Sequence, residues 1–508
     1  MKAVRFVALI AGLLLSVQAF ASQFVINHQF GQTAPTQADV LVVFAHQGQP
    51  VTVAGWSAEA QQLLNDALQA NEFTGKHGER VDVLAPAGVA AKRIIVVGLG
   101  EADQLTRVKA ELAGANLVGV LPQERAVTLV TTAVNDANAV AAIAHGMDLK
   151  NYRFDNYKSQ AKARQQVTYQ WHVADSAAVQ QHYADYVAIA KGVFLARDIT
   201  NLPGGDGYPQ AIAEMAAKAL KPYGIKVTIL KPNQVRKAGM GALYGVSQGS
   251  EHKAYLLAAQ WEGSKDQPIA LVGKGNTFDT GGYNLKTSSA SIVRMQTDKA
   301  GGAAVLGSVM ALAAQKAPVN VVAVVPLSHN LISGTALLPG DVVTAGDGTT
   351  IEVANTDAEG RLILADGIWY ARDKFKPRAI ADIATLTGSK VGALGNVYAA
   401  VFSDQDDILA SMKQAGEATQ ELVWELPLGP YPGIISSNLA DIKNTGSPGA
   451  QAGAIFLQHF AKDTPWIHID MAGNAFSESP RGIHPAGANG YGVRLLTEWV
   501  KLYSAQAN

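Results

Sequence analysis

Two short segments carry the residue types that hydrolytic chemistry uses. The first runs Val272-Gly273-Lys274-Gly275-Asn276-Thr277-Phe278-Asp279-Thr280-Gly281-Gly282, with Lys286 and Asp298 following. The second is Asn355-Thr356-Asp357-Ala358-Glu359-Gly360-Arg361-Leu362. Each sets carboxylates soon after a strand-like run, among glycines that let the backbone come close to an ion or a substrate. Four carboxylates brought to one place repel one another unless cations hold them there. Two divalent metals about 3.5–4 Å apart, bridged by carboxylates, are the usual solution in hydrolases. A His-Glu-x-x-His segment, the mark of a single-zinc peptidase, occurs nowhere. Spacing alone does not settle the matter, since acids beside glycines also serve as turn and capping residues.

Something must hold these segments in place. Strand-like runs and helical stretches alternate: Val40–Phe44, a helix near Ala58–Ala70, then Arg93–Gly100. The Gly98-Leu99-Gly100 turn lacks the third glycine of a nucleotide loop and reads as a plain turn. A polar segment, Tyr152–Gln170, reads as a connection, and a helical pattern follows from near Ala174 to Ala196. Beyond residue 200 come the apolar strands Ile269–Gly273, Val319–Val325 and Ile380–Leu386, separated by helical stretches at Gly302–Gln315 and Ala358–Arg372. Such alternation predicts an α/β fold in two domains. The expected division is a small N-terminal α/β domain over 22–170, a linking helix over 171–200, and a larger C-terminal catalytic domain over 201–508. Its sheet should be mixed and mainly parallel. Ligands of open α/β sheets sit beyond the carboxyl ends of strands, where both segments fall.

Composition narrows the function. At 508 residues there is room for two or three domains, and 48% hydrophobic with 16% charged residues is an ordinary globular balance. A net charge of −1 gives no electrostatic case for nucleic acid or an anionic membrane. The absence of cysteine excludes thiol nucleophiles, cysteine-bound zinc and disulfides. At the N-terminus Lys2 and Arg5 precede an apolar run from Phe6 to Val17, and Ala19-Phe20-Ala21 suits a cleavage site. Residues 1–21 therefore predict a signal peptide and an exported chain, periplasmic or secreted, off the membrane after cleavage. The run is shorter than the roughly 20 residues that span a bilayer.

The second segment resembles, at all eight of its positions, the signature octapeptide of the leucyl (cytosol) aminopeptidases. Val272-Gly273-Lys274-Gly275, Thr277-Phe278-Asp279, Gly281-Gly282 and Lys286 resemble that family's other hallmark. Further matches are Phe73–Lys76, Tyr152–Asp155, Ala196–Asp198 with Asn201–Pro203, Met240–Ala242, Asp441–Asn444 and Trp466–Asp470. The resemblance thus runs from about residue 73 to 476 and is densest after 196.

That resemblance implies an aminopeptidase acting on peptides and amino-acid amides through a water activated by two metals, zinc or manganese. Asp279 and Glu359 would bridge the metals, Lys274 and Asp298 would complete one shell, and Asp357 the other. Lys286 would contact the substrate carbonyl. Arg361, with the backbone near Gly360 and Leu386, would hold a bicarbonate ion. Met295, Thr385, Leu386 and Gly388 match the first side-chain pocket, whose apolar wall favours Leu or Met. The formal charges of this assembly cancel, which a partly buried site tolerates. The family also implies a homohexamer.

Departures and weaker candidates complete the reading. Thr280 and Thr287 stand where serine and proline are usual, the loop from Asp279 to Asp298 is about one residue longer than usual, and Gln296-Thr297-Asp298-Lys299 replaces a more apolar version. His329 stands where an acid is common, and with His252 it reads as a loop residue. The alternation of Trp466–Met471 makes His468 and Asp470 members of a buried strand. Two other functions remain open at this stage. One is a DNA-associated role, which the charge disfavours; the other is a dipeptidase for Cys-Gly-type substrates.

Overall fold

The computed structural model describes residues 25–506 apart from 34–37, 122–125, 132 and 162–165. Residues 1–21, read above as an export signal, lie outside the described residues. The chain divides into two compact units, Met1–Ala190 with Ser479–Pro485, and Lys191–Glu478 with Ala486–Asn508. The division falls inside the helix Ser176–Asn201. Among the described residues no helix is long and apolar enough to cross a membrane.

The first unit is built on six strands: β1 (Ile26–Gly31), β2 (Ala38–Ala45), β3 (Arg80–Leu84), β4 (Ala91–Gly98), β5 (Val127–Val130) and β6 (Val167–His172). Their order is β1-β6-β5-β2-β4-β3, parallel except for the β3–β4 pair. Strand β6 corrects the reading of Tyr152–Gln170 as a mere connection. Val167, Tyr169 and Trp171 are buried while Thr168 and Gln170 are exposed, a period of two that fills the core. Polar alternate residues masked that strand. The short return Ser479–Pro485 is fastened to this unit by Lys150, which donates to the carbonyls of Gly482 (2.8 Å) and His484 (3.2 Å).

The second unit holds a nine-stranded mixed sheet. Its strands are β7 (Lys226–Leu230), β8 (Tyr255–Glu262), β9 (Ile269–Gly273), β10 (Gly275–Asp279), β11 (Asn320–Asn330), β14 (Ala379–Ala384), β15 (Ala399–Phe402), β16 (Val423–Glu425) and β18 (Trp466–Asp470). The order is β16-β15-β18-β14-β9-β11-β8-β7, with β10 added beside β11. Strands β18, β14, β9 and β11 run parallel, so their carboxyl ends share one edge. A separate small sheet joins β12 (Val342–Thr344), β13 (Thr350–Glu352) and β17 (Ile442–Lys443).

Central parallel strands are covered on both faces and read as continuous apolar runs; β9 and β14 are buried at every residue. Ala270, Val272, Val322, Val324 and Ile380 form one core with Leu362, Ile363 and Ile368 of the helix Glu359–Phe375. Each such large side chain contributes about 1.5–3 kcal/mol on burial. That packing fixes the start of the helix, and with it Glu359 and Arg361, against the sheet edge. The helix Ala300–Ala314 enters the same edge through Gly301, where an added Cβ would meet the carbonyl of Ile383 at 2.2 Å.

Candidate active site

Lys274 follows β9, Asp279 closes β10, Asp298 lies in the 3-10 segment Arg294–Lys299, and Glu359 opens the helix Glu359–Phe375. All four are buried. Carboxylate oxygens of Asp279, Asp298 and Glu359 lie within 4.8 Å of one another. Lys274 Nζ donates to Asp298 Oδ1 at 2.7 Å and to the carbonyl of Thr385 at 2.9 Å, and pairs with Glu359 Oε1 at 2.9 Å. Asp357, half-buried, joins through Lys286, whose ammonium sits between Asp357 Oδ1 (2.5 Å) and Asp279 Oδ2 (2.8 Å). Gly360 leaves room for Lys274: an added Cβ would meet Lys274 Cε at 2.5 Å and push that side chain aside.

Burial raises Asp279 well above the ordinary carboxylate value, and Glu359 and Asp298 add to the rise. Burial likewise lifts Asp298 to about 7, against the pull of Lys274. For Lys274, burial opposes the charge, yet Asp298, Glu359 and Asp279 outweigh it and raise its pKa. Lys286 is raised in the same way, Asp279 and Glu359 overcoming its burial. Acids so compressed, with Asp279, Asp298 and Asp357 all raised by burial, are relieved by divalent cations. Carboxylate oxygens with an amine nitrogen suit manganese or zinc, so the residues present fit that group.

A cavity of about 800 Å³ opens onto this cluster, and Lys286, Met295, Arg361, Thr385, Leu386 and Gly388 all line it. Thr385 is also engaged with the acids, its hydroxyl donating to Asp298 Oδ1 at 2.8 Å. Arg361 is buried, burial lowers its pKa to about 10, and its Nε has no hydrogen-bond partner among the described residues.

Several neighbours escaped the sequence reading. Asn330 donates to Asp279 Oδ1 at 2.8 Å, and Asn276 donates to both Asp298 and Glu359. Asp470 accepts from the Leu386 amide (3.1 Å) and the Thr387 hydroxyl (2.6 Å), holding the loop that lines the cavity. Its neighbour His468 bonds Asp382 at 2.6 Å deep in the sheet, a structural pair. Lys299 is buried and donates to the carbonyls of Leu202 (2.8 Å), Thr277 (3.3 Å) and Gln296 (2.6 Å). His329 belongs to β11 rather than to a loop. The strand expected over Val319–Val325 runs on to Asn330, its last residues pairing with β10.

An acidic, lysine-bearing pocket at the carboxyl edge of a mixed sheet defines a metal-dependent hydrolase. Residues 194–497 match the catalytic domain of the cytosol aminopeptidase family, and residues 40–161 match that family's N-terminal domain. The chain is 46% identical over 478 residues to a probable cytosol aminopeptidase 1 of Shewanella oneidensis, covering 92% of this chain and 95% of that one. A probable cytosol aminopeptidase of Rhizobium etli is 40% identical, with 93% and 98% covered. Among solved structures, the bottromycin maturation enzyme BotP in complex with Mn superposes with a TM-score of 0.80 at 30% identity, covering 92% of this chain and 100% of that one. The chain belongs to the cytosol aminopeptidase family, and it is a metallo-aminopeptidase of the leucyl aminopeptidase type.

The same relatives overturn one expectation. They align with about nine-tenths of this chain and are named cytosol aminopeptidases, so the periplasmic or secreted location expected from residues 1–21 does not stand. A basic start followed by a short apolar run is a compositional pattern that other apolar segments share.

Proposed function

We propose that this aminopeptidase holds two divalent cations, zinc or manganese, and removes Leu- or Met-like N-terminal residues from peptides and amino-acid amides. The observation that supports it most is the convergence of Asp279, Asp298 and Glu359 within 4.8 Å. Asp279 and Glu359 would bridge the cations, Lys274 and Asp298 would complete one shell, and Asp357 the other. When bound, the cations supply Lewis-acid polarisation, a low-pKa water and a partner for the free α-amine. Lys286, held in its charged form, faces the oxyanion that develops at the scissile carbonyl. Arg361 and the helix start beside it, which has no side-chain cap, offer donors for a bicarbonate ion suited to carrying a proton to the leaving amine. Met295, Leu386 and the Thr385–Gly388 turn would wall the first side-chain pocket. A homohexamer follows from the family resemblance, and light scattering of active enzyme as a monomer would refute it.

The test is a panel of aminoacyl amides assayed before chelation, after it, and after re-addition of manganese or zinc. Cleavage of leucyl and methionyl amides, lost and restored with metal, is expected, with N-acetylated substrates refused. Activity that survives chelation, or equal cleavage of N-acetylated substrates, would sink the reading.

A further inference from the structure

Asn276 is buried completely and stands between Val272–Gly275 and Thr277–Asp279. In an unbroken strand, side chains three residues apart point to opposite faces. Between Asn276 and Asp279 the β10–β11 register shifts, and both side chains reach the carboxylate cluster. Asn276 pairs across the ladder with Ser328, whose hydroxyl donates to Asn276 Oδ1 at 3.0 Å. That contact uses the carbonyl end of the amide. The two hydrogens of Nδ2 then go to Asp298 Oδ2 at 2.9 Å and Glu359 Oε1 at 3.1 Å. Turned the other way, the amide would set its oxygen against two carboxylates.

We propose that Asn276, oriented by Ser328, is a positioning residue that fixes the spacing of Asp298 and Glu359 and so sets chiefly the affinity of the cation whose shell Lys274 and Asp298 complete. The proposal rests on the two-cation reading above. Asp298 and Glu359 come from different elements, the 3-10 segment Arg294–Lys299 and the helix Glu359–Phe375, and this amide ties them together beside Lys274. A neutral donor holds them without cancelling their charge, whereas a further ammonium would compete with the cation. Groups that orient metal ligands in this way typically contribute 10–100-fold to metal affinity.

Calorimetric titration of manganese into chelated, dialysed enzyme tests the proposal, with thermal unfolding of the metal-free protein measured alongside. Wild-type enzyme should show two binding events. Asn276→Leu, close in size but without donors, should weaken one event about 10–100-fold and the other, which shares only Glu359, by less. Ser328→Ala, which leaves the amide in place without its anchor, should weaken the same event less. If both events match wild type in Asn276→Leu, or weaken equally, the proposal fails while the two-cation reading stands. Should Asn276→Leu not fold, unchanged binding in Ser328→Ala overturns it. Wild-type enzyme that takes up no cation would sink the underlying reading and this proposal with it.

Discussion

Lys274 and Lys286 divide one carboxylate cluster between them: Lys274 engages Asp298 and Glu359, and Lys286 engages Asp279 and Asp357. Their proposed tasks need opposite protonation states, since Lys274 must give up its proton to bind a cation while Lys286 must keep it. Lys274→Met should lose affinity for one metal, with activity partly recovered by excess divalent ion. Lys286→Met should retain both metals and lose about 10²–10³-fold in kcat, without rescue. Elemental analysis after dialysis, paired with rates across a metal titration, checks both. Equal metal content and equal response to added ion would show the roles to be misassigned.

Cation binding should strengthen as pH rises. Burial lifts Asp298 to about 7 and Asp279 well above its usual value, while the acids raise Lys274 against its burial. All three therefore hold protons more firmly than ordinary groups, and a cation needs those protons gone. Apparent affinity should grow by about tenfold or more between pH 6 and pH 8, with protons released on binding. Titration in two buffers of different ionisation enthalpy measures that release. Affinity independent of pH, with no proton released, would contradict the scheme.

Arg361 gives a separate handle. Arg361→Met should lower kcat about 10²-fold with little change in KM, in keeping with loss of proton-transfer assistance. Wild-type rates in carbonate-depleted buffer should rise when bicarbonate is added, and the variant should not respond. A variant that still responds would assign the anion to another group.

Lys299 should act on stability. Its amine, whose pKa burial lowers to about 7, donates to three main-chain carbonyls in a buried place, and Lys299→Met removes that donor from all three. The expected loss is about 2–4 kcal/mol, on the scale of buried polar groups stripped of partners. Urea unfolding of the metal-free protein reads it directly. An unchanged midpoint would mean that the carbonyls find other donors.

The alternation of apolar runs is enough to expect the two-domain α/β fold, because central strands buried on both faces, such as β9 and β14, are largely apolar, with few polar residues to blur them. Strand β6 was hidden for the opposite reason, since its exposed residues Thr168 and Gln170 make the stretch look polar. Lys274, Asp279, Asp298, Asp357 and Glu359 were named from the two motifs. Asn276, Asn330 and Asp470 were not, because their roles arise from which strands lie side by side. Cross-strand partners such as Asn276 with Ser328, or Asp279 with Asn330, are some fifty residues apart in the chain, and local pattern does not encode them. The alternation of Trp466–Met471 puts Asp470 in a buried strand, but its position at the end of β18, where it holds the Leu386 loop, is a property of the assembled edge.

The shifted register between Asn276 and Asp279 has a consequence for how genes for this enzyme can diverge. Adding or removing one residue there would slide Asp279 along the strand by about 3.3 Å, more than the 2.8 Å that separates it from Asn330. A changed side chain in the stretch leaves a weakened but repairable enzyme, whereas a changed count leaves Asp279 out of reach of its partners. Insertions and deletions should therefore be purged from Lys274–Asp279, and from there to Lys286, which pairs with Asp279, and accumulate instead in the exposed stretch after Lys286. Lineages of this protein would then record their history in substitutions on one side of Lys286 and in length on the other.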